Sequence, residues 1–481
     1  MIDPPRVELW AILPVLILFG GALIALLGAA FARRAAQAPF VLFTLAVLAA
    51  AAASALWLWD REPVTVLGGM ASVDRLAVVA TLVLCGIGAL GAYLGFHYFE
   101  EDEFRRNEFY ALLLFALGGM ALLVAAADLI IVFLAIEVLS LSLYVLTALT
   151  FRRGPTEAAM KYFLMGAFAS AFLLYGVAMS YGAAATTSIQ GLARALTGTT
   201  GSQPLAVIAA LLLVVGLGFK VSLVPFHMWT PDVYQGAPSP VTAFMSAATK
   251  AAVFVALVRV LDVAFVAQQW DLAPAIAALS AVSMVVGSVL AIAQRDVKRM
   301  LAYSSVAQAG FILSAFVQPG RDGIAAALFY VITYGAAVLG AFGVVMLISG
   351  GIREQTGFDR FRGLIRTQPV LAVLLTIFLL SLAGIPPTAG FVAKVLVFGA
   401  ATSAGYWPLV LIGALASVAG AFFYLRIVAL MAMRDPQGED AADRAPLPRL
   451  VLAVPAAMIV VLGIVPGVIV PLLQEAGVLT W

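Results

Sequence analysis

The chain has 481 residues, of which 64% are hydrophobic and only 11% are charged, whereas an ordinary soluble domain is about 25% charged. So few charges cannot cover a water-exposed surface, and the net charge of +2 gives no indication of a nucleic-acid partner. One cysteine and two histidines exclude disulfides, zinc sites, iron–sulfur clusters and paired haem ligands within this chain. The composition predicts an integral membrane protein.

Apolar runs of about 20 residues, enough to cross roughly 30 Å of hydrocarbon, recur along the whole chain. They predict an all-α membrane protein of about fourteen transmembrane helices without a soluble domain. The predicted spans are 9–30, 39–59, 74–97, 108–125, 128–150, 156–183, 204–228, 239–262, 272–293, 297–317, 322–349, 368–400, 405–431 and 450–472.

Basic residues are distributed unevenly between the two sides of the membrane, and such a bias marks the cytoplasmic side. The loops opposite the termini contain sixteen of them: Arg33, Arg34, Arg105, Arg106, Arg152, Arg153, Arg295, Lys298, Arg299, Arg353, Arg360, Arg362, Arg366, Arg434, Arg444 and Arg449. The segments on the side of the termini contain five: Arg6, Arg61, Arg75, Arg194 and Arg321. Both termini are therefore expected to face away from the cytoplasm.

A weak internal repeat relates the middle of the chain to itself. The matching pairs are Asp128 with Asp296 and Tyr162 with Tyr330 at an offset of 168, and Arg259 with Arg426 at an offset of 167. Both aspartates open a span and are expected to cap a helix N-terminus. Each unit would contain five spans, 4–8 and 9–13, so the second copy would be inverted. The predicted segments are 1–107 (three helices), 108–265 and 270–432 (the two repeats), and 433–481 (the last helix).

Prolines interrupt the fourth span of each predicted unit. Span 7 contains Pro225, five residues after Lys220, and span 12 contains Pro386 and Pro387 just before Lys394. Proline lacks an N–H group and clashes with the preceding helical turn. A single break could be a simple packing kink, but two breaks at equivalent places, each beside a lysine, favour discontinuous helices at a functional site.

Four of the five lysines lie inside predicted spans, whereas the arginines lie mostly in loops and at span ends. Lys161, Lys220, Lys250 and Lys394 belong to spans 6, 7, 8 and 12, and Lys298 is expected in a cytoplasmic loop. A charge at the bilayer centre costs about 2.5–3.5 kcal/mol even on lenient scales. Burial favours release of a proton from lysine, which arginine does not allow, so the pattern suggests titration. The alternative is snorkelling to the interface, which is credible for Lys161.

Glu137 is an intramembrane carboxylate in span 5 and requires a cation or a proton. Its candidate partners are Lys161 and Lys220, either as a proton switch or as a static ion pair. His227 follows the break in span 7, where it could relay protons or hydrogen-bond a freed carbonyl.

Three stretches carry a resemblance to a known family. They are GLGFKVSLVPFHMWTPDVYQGAPSPVTAFMSAATK, QRDVKRMLAYSSVAQAGF and LAGIPPTAGFVAK. They resemble the antiporter-like subunits of proton-translocating NADH:quinone oxidoreductase (respiratory complex I), which are related to subunits of Mrp-type cation/proton antiporters. The likeness covers nearly the whole chain and is greatest to the N-type subunit. The short length and the absence of a lateral helix argue against the L-type, and Lys394 argues against the M-type.

The resemblance implies roles for individual residues. The positions that match the family's proton-carrying residues are Glu137, Lys161, Lys220, His227, Lys250 and Lys394. Two departures are visible, since the family often has glutamate where Gln235 stands and histidine where Gln308 stands. Glutamine cannot titrate, so a hydrogen-bonding role is expected at both positions.

The expected function is therefore proton translocation without redox chemistry in this chain. The resemblance implies flavin, iron–sulfur clusters and NADH in partner subunits, quinone as substrate of the complex, and other membrane-arm subunits as partners. It implies a bacterial inner membrane with both termini periplasmic. The alternatives are a subunit of a multisubunit cation/proton antiporter, driven by an ion gradient, and a scaffold with remnant charges, against which the retained lysines argue.

Overall fold

The computed structural model describes residues 8–31, 36–100, 106–197, 203–352, 354–436 and 446–478. Its α-helices are α1 Leu13–Phe31, α2 Gln37–Leu58, α3 Arg75–Phe99, α4 Glu108–Val124, α5 Leu129–Ala148, α6 Arg153–Ala184, α7 Ile189–Thr197, α8 Pro204–Val221, α9 Thr230–Gly236, α10 Ser239–Val258, α11 Gln269–Ile292, α12 Val297–Leu313, α13 Arg321–Ile348, α14 Leu364–Thr367, α15 Pro369–Ala383, α16 Ala389–Ser403, α17 Trp407–Met433, α18 Pro446–Ile464 and α19 Val470–Ala476. Six residues of the orientation argument lie outside the described ranges: Arg6, Arg33, Arg34, Arg105, Arg353 and Arg444.

The helix count agrees with the sequence. Among the described residues, twelve helices are long and apolar enough to cross a membrane, and α4 is a shorter apolar helix. The two short helices α15 and α16 occupy the predicted span 12, which brings the number of spans in the described part of the chain to fourteen. Some short elements between the predicted spans were not predicted. They are the helices α7, α9 and α14 and an antiparallel hairpin between α2 and α3, in which β1 (Val64–Val66) pairs with β2 (Ala71–Val73).

Three helices form the centre of the molecule. In the most apolar 18-residue stretch of the α10 segment every residue is buried, and in the corresponding stretches of α12 and α13 the buried shares are 94% and 89%. By contrast, only 33% of the residues in the corresponding stretches of α6, α17 and α18 are buried, as expected of helices that face lipid. Most side chains in the apolar middle of α10, α12 and α13 are therefore enclosed by protein.

The two matched aspartates cap helices in the same way. Asp128 accepts a hydrogen bond from the N–H of Ile130 (2.8 Å) at the start of α5, and Asp296 accepts one from the N–H of Arg299 (2.9 Å) at the start of α12. Each carboxylate also accepts a threonine hydroxyl from a following loop, Thr187 at 2.8 Å and Thr356 at 2.5 Å. The predicted capping role is confirmed.

The matched arginines also make equivalent contacts. Arg259 donates from Nε to the carbonyl of Val124 at the end of α4 (2.8 Å), and Arg426 donates from Nη1 to the carbonyl of Ile292 at the end of α11 (2.9 Å). The two acceptors are separated by the same 168 residues as the aspartates. These contacts support the two-unit prediction, whose boundaries at 108–265 and 270–432 stay a prediction.

Arg259 also forms a buried ion pair that closes the first unit against α3. Its guanidinium donates two hydrogen bonds to Asp74, at 3.0 and 2.9 Å, and the two side chains are 0% and 3% exposed. Removing one partner leaves an uncompensated buried charge, which costs about 3–5 kcal/mol. We therefore expect Asp74→Asn to lower the thermal stability of the detergent-solubilised protein strongly.

The control for this prediction is Asp435→Asn. Asp435 pairs with Arg366 at 2.6 Å, but the two side chains are 87% and 59% exposed, and exposed pairs contribute about 0–1 kcal/mol. Equal melting temperatures of the two variants would contradict the stabilising role assigned to the buried pair.

Candidate functional site

The break after α8 frees a backbone carbonyl, and a lysine binds it. Val221 lies four residues before Pro225, whose nitrogen carries no hydrogen, so the Val221 carbonyl has no helical donor. Lys250 of α10 is 1% exposed and donates from Nζ to this carbonyl (2.6 Å) and to the carbonyl of Ser305 in α12 (2.9 Å). Lys250 therefore joins the broken helix to the central helices.

The break after α15 is arranged in the same way. Leu382 and Ala383 lie four residues before Pro386 and Pro387, so both carbonyls lack helical donors. Lys394 donates from Nζ to the Ala383 carbonyl at 2.8 Å. Gln308 of α12 donates from Nε2 to the Leu382 carbonyl, also at 2.8 Å.

Gly384 makes room for this arrangement. Its φ of +81° is a conformation that residues with a Cβ atom rarely adopt. A Cβ atom at this position would also lie 2.7 Å from Cδ of Lys394. Both the turn that ends α15 and the passage of the lysine side chain therefore require glycine here.

Lys220 lies in the last turn of α8 within an aromatic enclosure. It is 3% exposed and donates to the hydroxyl of Tyr144 (3.2 Å). Its Nζ lies 5.1 Å from the ring centroid of Tyr144 and 5.2 Å from that of Tyr162, within the range of cation–π attraction. These groups can stabilise an ammonium without carrying a compensating charge.

Glu137 is half-buried on α5 and accepts a hydrogen bond from Ser170 of α6. In the described part of the chain neither candidate partner, Lys161 or Lys220, lies within ion-pair distance of it. Tyr144 follows Glu137 by seven residues, which is about two turns along the same helix face, and this tyrosine contacts Lys220. A hydroxyl group therefore links the helix that carries the carboxylate to the lysine.

Gln308 forms three hydrogen bonds within the second unit, of which the bond to the Leu382 carbonyl is the first. Its Oε1 accepts from the Tyr330 hydroxyl (2.6 Å), and its Nε2 donates to the Tyr424 hydroxyl (3.2 Å). The Tyr424 hydroxyl is in turn hydrogen-bonded to Ser304. The hydrogen-bonding role predicted for Gln308 is confirmed.

Helix α12 connects the sites of Lys250 and Lys394. Lys250 contacts Ser305, whose hydroxyl accepts from Tyr334 (2.8 Å), and Nζ of Lys394 lies 4.6 Å from the ring centroid of Phe311. Six residues separate Ser305 from Phe311, about 9 Å along a helix. We refer to this set as the buried polar line: Lys220, Lys250, Ser305, Tyr334, Gln308, Tyr330, Tyr424 and Lys394.

Lys161 does not belong to this line. Its side chain is 44% exposed and binds Glu157 and Asp232, each at 2.9 Å. Arg299 donates to Asp232 as well (2.7 Å) and to the side-chain oxygen of Gln235 (3.1 Å). Partial burial alone would raise the pKa of Asp232, but the hydrogen bonds from Lys161 and Arg299 outweigh it and lower this pKa below its ordinary value. Lys161 lies within α6, as predicted, but its side chain is not buried, which agrees with the snorkelling alternative.

Lys298 was expected in a cytoplasmic loop, and this expectation was wrong. It lies in the first turn of α12, is fully buried, and donates to the carbonyl of Ala237 and to Glu354, both at 2.6 Å. Glu354 also accepts the N–H of Ser239 at the start of α10 (2.7 Å). The charged run QRDVKR resembles a loop, but the capping role of Asp296 already places Lys298 inside the helix.

His227 follows the break after α8 and is half-buried. Its backbone carbonyl accepts the N–H of Thr230 (2.9 Å) at the start of α9. Its Nδ1 is buried and has no hydrogen-bond partner among the described residues. The neighbouring Met228 is 70% exposed. The structure therefore places His227 at the outer end of the break and not in the buried polar line.

No group of three or more His, Cys, Asp or Glu side chains that could hold a metal ion occurs in the described ranges. The chemistry available to the buried polar line is that of amines, hydroxyls, one amide and backbone carbonyls. Such groups exchange protons and hydrogen bonds.

Comparison with known proteins identifies the family. The family described as NADH:quinone oxidoreductase/Mrp antiporter, TM, matches residues 126–420. The chain is 42% identical over 507 residues to NADH-quinone oxidoreductase subunit N of Acidothermus cellulolyticus, covering 99% of this chain and 97% of that protein. It is 42% identical over 505 residues to the subunit N of Myxococcus xanthus, covering 97% and 96%.

Solved structures show the same architecture. A chain of respiratory complex I from Thermus thermophilus with bound aureothin is 36% identical, with a TM-score of 0.83 over 96% of this chain and 99% of that one. A chain of the Mrp complex from Dietzia has a TM-score of 0.86 over 98% and 97% but is 22% identical, so it shows the fold alone. The chain belongs to the NADH:quinone oxidoreductase/Mrp antiporter family of membrane proteins, in its subunit N branch.

Proposed function

We propose that this chain is a proton-translocating, non-redox subunit in the membrane arm of an NADH:quinone oxidoreductase. The observation that carries the proposal is that buried lysines bind the backbone carbonyls that proline frees at two helix breaks. Partner subunits would hold NADH, flavin and iron–sulfur clusters, and quinone would be the substrate of the complex. The other membrane-arm subunits would be neighbours of this chain.

The carbonyl contacts explain how a buried amine could be protonated reversibly. A free ammonium at the bilayer centre is costly, but helix C-terminal carbonyls stabilise positive charge. Lys250 and Lys394 each donate to such carbonyls. The carbonyls lower the free-energy cost of the buried ammonium, and no carboxylate holds the lysine permanently in its charged form. Such a lysine can therefore take up and release a proton.

The proposed path begins at Glu137 and Lys220, continues to Lys250, and reaches Lys394 along α12. Hydroxyls of tyrosine and serine and the amide of Gln308 lie between the lysines. Such groups can pass protons directly or order water that does so. Lys161, Asp232 and His227 would act at the entrance, where they are exposed or half-buried.

We propose that protons leave the chain beyond Lys394. A cavity of about 340 Å³ follows α16 from Val395, the neighbour of Lys394, to Ser403 at the end of that helix. Its polar lining includes Gln318, Asp322 and Gln474. By the distribution of basic residues, this end faces the side of the termini, which we propose is the periplasm of a bacterial inner membrane.

Moving one charge against 100 mV costs about 2.3 kcal/mol, so an external driving force is required. We infer that electron transfer in partner subunits supplies it. An antiporter subunit would instead use an ion gradient. Purification of the chain in mild detergent distinguishes these two functions. Co-purification of flavin, iron–sulfur clusters and NADH:quinone activity supports the proposal, and their absence supports the antiporter.

The direct test changes Glu137 and Lys220 in the assembled complex. Glu137→Gln keeps the acceptor for Ser170, and Lys220→Gln keeps a donor for Tyr144, but neither replacement titrates. We expect NADH-driven acidification of inverted vesicles to fall several-fold in both variants, while the complex still assembles. Asp435→Asn serves as the surface control. Proton translocation at the rate of the unmodified complex in both variants would sink the proposed path.

A further inference from the structure

A second cavity lies beside the end of α10, outside the buried polar line. Its volume is about 230 Å³, and its walls are mostly apolar, with Leu272, Ile276 and Phe316 among them. One carboxylate, Asp262, lines it, together with the amides of Gln269 and Gln318. No cationic side chain of the described residues lines this cavity.

Asp262 lies in a π-helical turn, Arg259–Ala264, that ends the α10 segment. Such turns occur often at functional sites. Its Oδ1 accepts a hydrogen bond from Gln269 Nε2 at 3.2 Å, and it takes part in no ion pair with a described residue. A carboxylate in mostly apolar surroundings requires a cation or a proton.

The charge of the cavity lining is negative. Among the described residues that line it, Asp262 is the one side chain with a formal charge, and no lysine or arginine balances it. The cavity therefore favours a cation over an anion.

Aromatic side chains at the same cavity indicate the type of cation. Trp270 is 93% exposed and lines the cavity together with Tyr406. Exposed Trp and Tyr side chains are typical of the membrane interface, and their rings attract organic ammonium groups. A small hydrated metal ion would find a single carboxylate and mostly apolar walls, which is a poor ligand set.

We propose that this cavity binds the ammonium headgroup of an ethanolamine phospholipid, with Asp262 as its counter-ion. The ammonium would lie against the Asp262 carboxylate and the rings of Trp270 and Tyr406. The acyl chains would lie on the lipid-facing side of α11, where Val282, Val285 and Val289 are exposed. The site would hold lipid at the junction of the two five-helix units.

The test compares Asp262→Asn with Asp271→Asn in the purified complex. Asp271 is an exposed carboxylate in the first turn of α11 that does not line the cavity. Native mass spectrometry after delipidation and titration with phosphatidylethanolamine should show a bound lipid that Asp262→Asn loses several-fold and Asp271→Asn retains. Displacement by free ethanolamine at similar concentration would assign recognition to the amine alone, whereas no displacement would assign it to the whole lipid.

Two results would overturn the proposal. One is equal phosphatidylethanolamine retention in the complex with and without Asp262→Asn. The other is equally strong, Asp262-independent binding of phosphatidylglycerol, which has no amine. If Asp262→Asn prevents assembly, Trp270→Leu provides the second test, because this exposed side chain does not contribute to the core. Removal of its ring should weaken retention of the lipid, and unchanged retention would count against the site.

Discussion

Replacing Lys394 by methionine is expected to reduce proton translocation by the complex several-fold and to destabilise the break after α15. The reason is that Nζ of Lys394 combines an observed role, as a hydrogen-bond donor, with a proposed one, as a proton carrier. Its Nζ is the donor to the Ala383 carbonyl, which Pro387 leaves without a helical partner. An unsatisfied buried carbonyl costs about 1–3 kcal/mol. The amine is also the proposed proton carrier next to the exit cavity.

Two further substitutions separate these roles. Lys394→Gln keeps an N–H donor for Ala383 but cannot titrate, so the thermal stability should recover while translocation stays low. Lys394→Arg keeps the charge and the donor, but arginine does not release its proton under physiological conditions, so translocation should stay low here too. NADH-driven dye quenching in inverted vesicles measures proton translocation, and thermal unfolding measures stability. Full translocation with Lys394→Gln would show that this lysine only caps the helix.

Lys250 gives the second large effect. It donates to the carbonyls of Val221 and Ser305. Lys250→Met leaves the Val221 carbonyl, which Pro225 deprives of a helical donor, unsatisfied at about 1–3 kcal/mol. Lys250→Gln supplies two N–H donors and should restore most of the stability. Translocation should be low in both variants, because the path between the two units is interrupted.

A double variant tests whether Lys250 and Lys394 act in series. Groups that act as a unit give strongly non-additive effects. If every proton of this subunit passes both lysines, Lys250→Gln combined with Lys394→Gln should translocate no more slowly than the poorer single variant. Multiplicative losses would instead indicate two parallel paths, and the order of sites proposed above would have to be abandoned.

The sequence predicted those features that a single residue type determines locally. Pro225 and the pair Pro386–Pro387 located the two helix breaks, since proline removes a donor wherever it occurs. The caps at Asp128 and Asp296 followed from their position before apolar runs. The fourteen spans followed from hydrophobicity and length alone. The lysines in spans 7, 8 and 12 were expected to be buried, and the structure buries all three.

Features that depend on packing between distant segments were not predictable. Nothing local indicates that Lys250 binds Val221, that Asp74 binds Arg259, or that Glu354 meets Lys298. Lys161 was expected to be buried but is 44% exposed, and Lys298 was expected in an exposed loop but is buried. For both, the sequence gives the position along the helix but not which neighbours cover it. Glu137 was expected to pair with a lysine; its carboxylate accepts a hydrogen bond from Ser170, and no described lysine lies within ion-pair distance of it.

The most direct test of the central claim is the number of protons translocated per NADH oxidised by the complex in sealed liposomes. The variant combines Lys220→Gln with Lys394→Gln, so that hydrogen-bond donors remain at both ends of the buried polar line while both titrating amines are lost. We expect a lower ratio than in the unmodified complex, because this subunit's share of the protons is missing. An unchanged ratio at equal electron-transfer rates would contradict it.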